Sequence, residues 1–312
     1  MRLCNLFILS IIVFIFCLSG CEKPVHRMDL EPLRKQLVLN GSLGPDLPFK
    51  IHVSSSMEPI GPELVTLVED AEITISGDDN IVIHPEYDSM GFYQASWYPA
   101  EGRKYRITVK APGFEDAYAD VAIPVKTAGV SFSKDSSGIS YPYQLKIDDL
   151  ENENNTYMIR ARYQYEEIRQ YWLGPGKWRY DTIREIRKAT LYSADELIEY
   201  YGDGTYIGDS RAPSGEKAAS GFVISDELFN GREHKMNFKA TQIWRLDPDR
   251  PYLFIDVLSL NREFYNFVKS YSLYFEARQT PFAEPVAIVS NIMNGLGYVY
   301  GYSVHTDSIR IK

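Results

Sequence analysis

The sequence predicts a mainly β protein, with an N-terminal Ig-like β-sandwich followed by a second β-sandwich carrying one or two packed helices. Three observations lead there. The chain holds 23 Tyr and 15 Phe among 312 residues, and aromatics suit pleated, half-buried strands. Apolar side chains recur at every second position in several segments, which turns one face to a core and the other to water. Clusters of Gly, Pro, Asn and Asp separate those segments at short intervals, as hairpin turns require.

Composition narrows the rest. Hydrophobic residues make up 45% of the chain and charged residues 24%, enough apolar surface to offset the entropy of ordering. Lys and Arg number 33 against 42 Asp and Glu, for a net charge of −9. That balance excludes nucleic acid as the expected partner, which a basic surplus would attract. The length corresponds to two domains or one large one.

Residues 1–20 (MRLCNLFILSIIVFIFCLSG) read as a lipoprotein signal peptide. Arg2 supplies the positive end, and the apolar stretch Leu6–Leu18 is too short for a bilayer-spanning helix. Leu18-Ser19-Gly20-Cys21 follows, a lipobox in which small residues precede the Cys that takes the lipid. Several acyl chains on Cys21 would make a stable membrane anchor, where one chain is marginal. The cysteines agree, for they are Cys4, Cys17 and Cys21. Cleavage removes two and lipid consumes the third, so Cys nucleophiles, Cys-ligated zinc and disulfides are excluded.

Residues 21–36 read as a tether of mixed charge with Pro24 and Pro32. Residues 37–124 carry the first sandwich. Phe49/Ile51/Val53, Ala71/Ile73/Ile75 and Tyr105/Ile107/Val109 each alternate with polar residues, about seven short strands in all. Ile123-Pro124 closes the unit, because Pro cannot extend a central strand.

Residues 125–312 form the second β-rich unit. Tyr157, Ile159, Ala161, Tyr163 and Tyr165 mark a long strand that Gly174-Pro175-Gly176 turns back toward Trp178 and Tyr180. Ser193-Ala194-Asp195-Glu196 has the form of a capping box opening a short helix that Gly202 ends. Tyr252–Leu258 reads as a buried strand. Leu260, Phe264, Phe267, Val268 and Tyr271 then follow helical spacing, with Ser259 placed as N-cap.

Several stretches resemble the DUF4249 family. They are Gln36–Ser42, Gly102-Arg103-Lys104-Tyr105 with Ala119 and Ile123-Pro124, and Phe222–Gly231 (FVISDELFNG). The nearest likeness is Pro281-Phe282-Ala283-Glu284-Pro285-Val286 with Ser290-Asn291-Ile292 and Asn294-Gly295-Leu296-Gly297. Thr280 stands where the family usually has Asn. The resemblance implies a Bacteroidota lipoprotein anchored to the outer membrane, on the periplasmic or the surface face. It also implies a gene often found near a TonB-dependent receptor, and it carries no catalytic residues. Physically, the prolines hold Phe282 in an extended loop, and Asn294-Gly295 is a favoured turn before a strand over 298–304.

Chemistry is sparse. His26, His52, His84, His234 and His305 show no metal-binding spacing, and His52 falls on an outward-facing strand position. Ser214-Gly215 lacks the strand that a nucleophile elbow needs, and Gly202-Asp203-Gly204 fits no dinucleotide loop. Asp148, Asp149, Glu151 and Glu153 read as a solvated acidic loop, away from EF-hand spacing. No metal, cofactor or catalytic residue is expected. Tyr171, Trp172, Trp178 and Tyr180 flank the Gly-Pro-Gly turn and serve either as a platform for a glycan or protein partner or as a cap on the sandwich core. The expected function is a non-enzymatic accessory or binding lipoprotein of an outer-membrane receptor. A carbohydrate-active or other hydrolytic enzyme is the alternative.

Overall fold

The computed structural model describes residues 34–57, 65–127, 129–134, 140–151, 153–198, 200–201, 217–241, 251–279 and 282–311. Cys21, Gly202, Ser214 and Thr280 lie outside these residues. The first half holds β1 (Leu37–Leu43), β2 (Phe49–Ser55), β3 (Glu72–Gly77), β4 (Val82–Ile83), β5 (Glu86–Ser89), β6 (Phe92–Ala95), β7 (Lys104–Lys110) and β8 (Ala117–Ala122). Next come β9 (Gly129–Lys134), β10 (Tyr143–Asp148), β11 (Asn155–Gly174), β12 (Lys177–Ala189), β13 (Leu191–Ser193) and β14 (Tyr200–Tyr201). After these stand β15 (Lys217–Ala219), β16 (Gly221–Ser225), β17 (Glu233–Ala240), β18 (Tyr252–Asn261), the helix α1 (Arg262–Gln279) and β19 (Gly295–Arg310).

The mainly β expectation holds, and the two sandwiches share a sheet. A ten-stranded sheet runs β14-β16-β11-β18-β19-β1-β2-β6-β5, with β12 added on β11. The sheet β4-β3-β7-β8 contributes to one core and β15-β13-β17-β10-β9 to the other. The segment 37–124 supplies all of the first core except Ile292 and Val299. The second core collects Tyr157, Ile159, Phe222, Ile224, Val257 and Phe238, the inward residues of the alternating strands. The opposite face of the large sheet is not left wet. Met158, Leu258, Tyr298 and Tyr302 point there and bury against Phe264 and Val268 of α1.

β19 joins the halves. It runs parallel to β1, Leu37 facing Gly295 and Leu43 facing Gly301, and antiparallel to β18. The Asn294-Gly295-Leu296-Gly297 motif makes that approach possible. Asn294 turns the chain in the left-handed region at φ 57°, and the backbone of Leu39 leaves no room for a side chain at Gly297. Asn291 completes the entry by bonding Val299 from both ends of its amide, donating to the carbonyl at 2.6 Å and accepting from the N–H at 3.0 Å.

Two local expectations need correction. Among the described residues, Ser193–Ile198 form the end of β13 and a turn, with no helix. Ser193 is held by sheet pairing, and its hydroxyl donates to the Asn237 carbonyl at 2.6 Å. Asp195 closes the turn by accepting from Leu197 N–H at 2.9 Å. Ser259 is not the N-cap of α1. It lies buried inside β18, where its hydroxyl accepts from Thr127 N–H at 3.2 Å, and the helix begins three positions later at Arg262.

Candidate contact surface

The Gly-Pro-Gly hairpin is an arm. β11 pairs with β18 only as far as Gln164, and with β16 only over Thr156–Arg160. From there to Gly174 its partner among the described strands is β12 alone. The free-standing part is about 33 Å long at the usual rise per residue. A lone two-stranded hairpin is marginal in water, so this one relies on its root in the large sheet. Gly174 and Gly176 turn the tip at φ 133° and 70°.

Register sorts the aromatic side chains. Trp172 faces Trp178, and Gln170 faces Tyr180, so these four share one face. Ile168 and Ile186 occupy the same face nearer the root. Trp172 is 63% exposed, Trp178 51% and Tyr180 62%. This face continues the Met158 side of the sheet, whereas the second core lies on the Tyr163 and Tyr165 side. The rings therefore do not cap the sandwich core. Tyr171 points to the opposite face, with Leu173, and is 41% exposed. Of the four aromatics singled out by sequence, three come together and Tyr171 does not.

Electrostatics set the arm apart from the rest of an acidic chain. Between Gln170 and Tyr180 stand Lys177 and Arg179 and no carboxylate. Arg179 bonds Asp181 at 2.8 Å, and Arg169 pairs with Glu185 across the arm. Gln170 donates to the Tyr180 hydroxyl at 3.2 Å, which fixes that ring on the shared face. Exposed Trp and Tyr beside Arg form the composition of an interface hot spot. Three such rings with two Ile exceed what a surface usually leaves bare without a partner.

A second cluster escaped sequence reading because its members are far apart in the chain. Asp149 was expected in solvent and is buried, accepting from the Tyr157 hydroxyl and from Gly231 N–H at 2.8 Å. Asp226, also buried, accepts from Asn155 N–H at 2.6 Å. Burial holds the Asp226 carboxyl above the usual range, and the nearby charge of Asp149 adds to it, while the Asn155 N–H opposes both. Burial likewise pushes the Tyr157 hydroxyl up. The Phe222–Gly231 stretch thus latches the 149–155 segment onto the sheet, and Asn230 adds a bond to the Glu153 carbonyl at 2.9 Å. Of the other members of the expected acidic loop, Glu151 and Glu153 are exposed, while Asp148 ends β10, half-buried and paired with Lys146 at 3.3 Å.

His234 Nε2 lies 3.0 Å from Asp195 Oδ2, with Phe229 stacked on its ring at 4.8 Å. The pair sits beside Ser193, whose proton is committed to the Asn237 carbonyl. His52 is half-buried rather than exposed, its ring set edge-on to Phe92 at 4.9 Å. Among the described residues, no three His, Cys, Asp or Glu side chains are grouped to hold a metal ion. No helix among the described residues is long and apolar enough to cross a membrane.

The profile of DUF4249, a domain of unknown function, matches residues 25–308. No curated protein matches the chain.

Proposed function

Because the chain belongs to the DUF4249 family, we propose that it is a non-enzymatic envelope lipoprotein, anchored through lipid on Cys21, whose arm binds an outer-membrane partner protein. The observation that carries this reading is the exposed stripe of Ile168, Trp172, Trp178 and Tyr180 on a hairpin with both edges clear of the described sheet. Such an arm offers aromatic anchors for a pocket and free strand edges for pairing, two ways of gripping a protein. The family resemblance points to a TonB-dependent receptor as that protein. The polar clusters favour a structural over a hydrolytic use, since the Ser193 proton and both buried carboxylates are engaged in holding the backbone.

The arm also stands where a partner can reach it. β1, β19 and β11 all point the same way, and the chain enters the fold at the start of β1. Following register from Leu37 through Gly295, Arg310, Tyr252 and Gln164 to Gly174 gives about 80 Å along the strands, which sheet twist shortens in a straight line. The tip thus lies at the end of the strands opposite to the start of β1.

The test is recovery of the receptor from solubilised membranes on affinity-tagged protein. Wild type is expected to retain it. A variant with Tyr171–Tyr180 replaced by an Asn-Gly turn is expected to lose it while still fractionating with membranes. Equal recovery with both proteins contradicts the reading.

A further inference from the structure

We infer that the outer edge of β12 pairs antiparallel with the same edge of a second copy of this chain, about a twofold axis at Thr182. This use of the strand edge goes beyond the receptor reading, which concerns the aromatic face of the arm.

β12 presents a long and regular edge. Among the described strands its partner is β11 alone, from Ala189 opposite Ala161 to Trp178 opposite Trp172, with no bulge between. Lys177–Ala189 contains neither Pro nor Gly. Edges are usually blunted by shortness, proline, bulges or charge, because their open N–H and C=O groups otherwise recruit another strand. Of these devices β12 keeps only charge. The arm also lacks support of its own. Two strands standing free are marginal in water, whereas three or more with an apolar face hold together. Two arms paired edge to edge make a four-stranded sheet, β11-β12-β12-β11.

The sequence of the edge points to a second copy as its occupant. Directly opposite residues of an antiparallel pair share a face, so a twofold pairing is centred on one residue, and positions equally far before and after it meet. Centring on Arg179 or Arg184 sets arginine against arginine, and centring on Asp181 sets carboxylate against carboxylate. Centring on Ile183 opposes Asp181 to Glu185 and Arg179 to Arg187. At Thr182 the charges are complementary instead. Arg179 of each copy meets Glu185 of the other, giving an opposite-charge pair on each side of the axis. Within one chain Arg179 already bonds Asp181, and Glu185 already pairs with Arg169. The new contacts join these into a run of alternating charge across the two copies.

The aromatic face agrees with the same register. Trp178 meets Ile186, and Tyr180 meets Arg184, which sets a cation against a ring. Trp178, Tyr180 and Ile186 are each more than half exposed in the single chain, so the pairing covers apolar area that otherwise faces water. The like-charged pair in this register, Lys177 with Arg187, falls at the two ends of the overlap, where both side chains are exposed and can turn to water. Centring on Tyr180 also keeps like charges apart, but it overlaps the arms only over Lys177–Ile183 and leaves Ile186 bare. The Thr182 register runs from Lys177 to Arg187, about 33 Å of strand. Trp172 and Ile168, on the outer strands of the joint sheet, stay open to a different protein.

The experiment uses the full chain, produced in one cell with two different affinity tags and solubilised in detergent. Wild-type copies are expected to recover one another. Arg179→Glu sets Glu against Glu185 on both sides of the axis, and Glu185→Arg sets Arg against Arg179. Either variant paired with itself should therefore associate about tenfold more weakly. A mixed pair, one copy of each variant, has opposite charges on both sides again, and its co-recovery should return to the wild-type level. Purified wild-type chain, free of any receptor, should sediment as a dimer that dissociates on dilution. Thr182→Cys should give a reducible dimer on oxidation, with wild type treated alike to account for Cys4, Cys17 and Cys21. Purified chain that sediments as a monomer at every concentration, or a mixed pair recovered no better than either variant with itself, overturns the inference. A reducible dimer from Tyr180→Cys and none from Thr182→Cys overturns the axis at Thr182. Receptor recovery is read separately, so failure here is distinguishable from failure of the receptor reading.

Discussion

Gly297→Ala is expected to destabilise the protein by about 3 kcal/mol or more. Two causes add. Gly297 has φ 100°, a conformation that costs an L-residue about 1–2 kcal/mol. A Cβ there would also stand 2.2 Å from the Leu39 carbonyl oxygen, which is backbone of the facing strand and cannot swing aside. Relief requires moving β19 off β1, the seam between the two halves of the large sheet. For a chain of this size the melting midpoint should fall by roughly 5 °C or more. Gly176→Ala is the control. It has φ 70° but nothing within 4 Å of the new Cβ, so only the conformational cost of about 1 kcal/mol or slightly more should appear. Thermal melts of both variants, followed by circular dichroism, check the pair. Equal losses would show that contact with Leu39 matters little.

Trp172→Ala and Trp178→Ala should do the reverse, leaving stability within about 1 kcal/mol of wild type and weakening partner binding by about 2 kcal/mol or more. Each ring is more than half exposed, so truncation opens no cavity and removes only the cross-strand contact between them. Had they capped the core, each change would cost about 3–5 kcal/mol. Tyr171→Ala, on the other face of the arm, should affect binding less than either. Melting midpoints together with receptor recovery from membranes separate these outcomes. A large midpoint drop for both Trp variants would end the contact-surface reading.

Much of the fold was legible where the signal is local. Alternation at Tyr157–Tyr165 and at Tyr105–Val109 marked the inward faces, because a half-buried strand repeats every two residues whatever it pairs with. Partnership was not legible. Nothing in Leu37–Leu43 announces that its neighbour is Gly295–Gly301, although the glycines of the Asn294–Gly297 motif record how close the approach is. Capping patterns misled for the same reason. Ser193 and Ser259 have the right neighbours for helix starts, but their hydroxyls find long-range partners in Asn237 and Thr127, and strand pairing takes the backbone first.

The candidate surface divides in the same way. Four aromatics around a Gly-Pro-Gly turn were visible as composition. That Trp172, Trp178 and Tyr180 share a face, and that Tyr171 does not, depends on strand register. Asp149 read as part of a solvated acidic run, since a charge's burial depends on whether Tyr157 and Gly231 come to meet it.

The claim at the centre of this account is that the aromatic face of the arm grips a partner protein. Site-specific photo-cross-linking in growing cells tests it most directly, with benzoylphenylalanine placed at Trp172 and, as a control, at exposed Glu86 in β5. The account predicts a discrete protein adduct of receptor size from Trp172 and none from Glu86. No adduct from Trp172, or the same adducts from both positions, would contradict it.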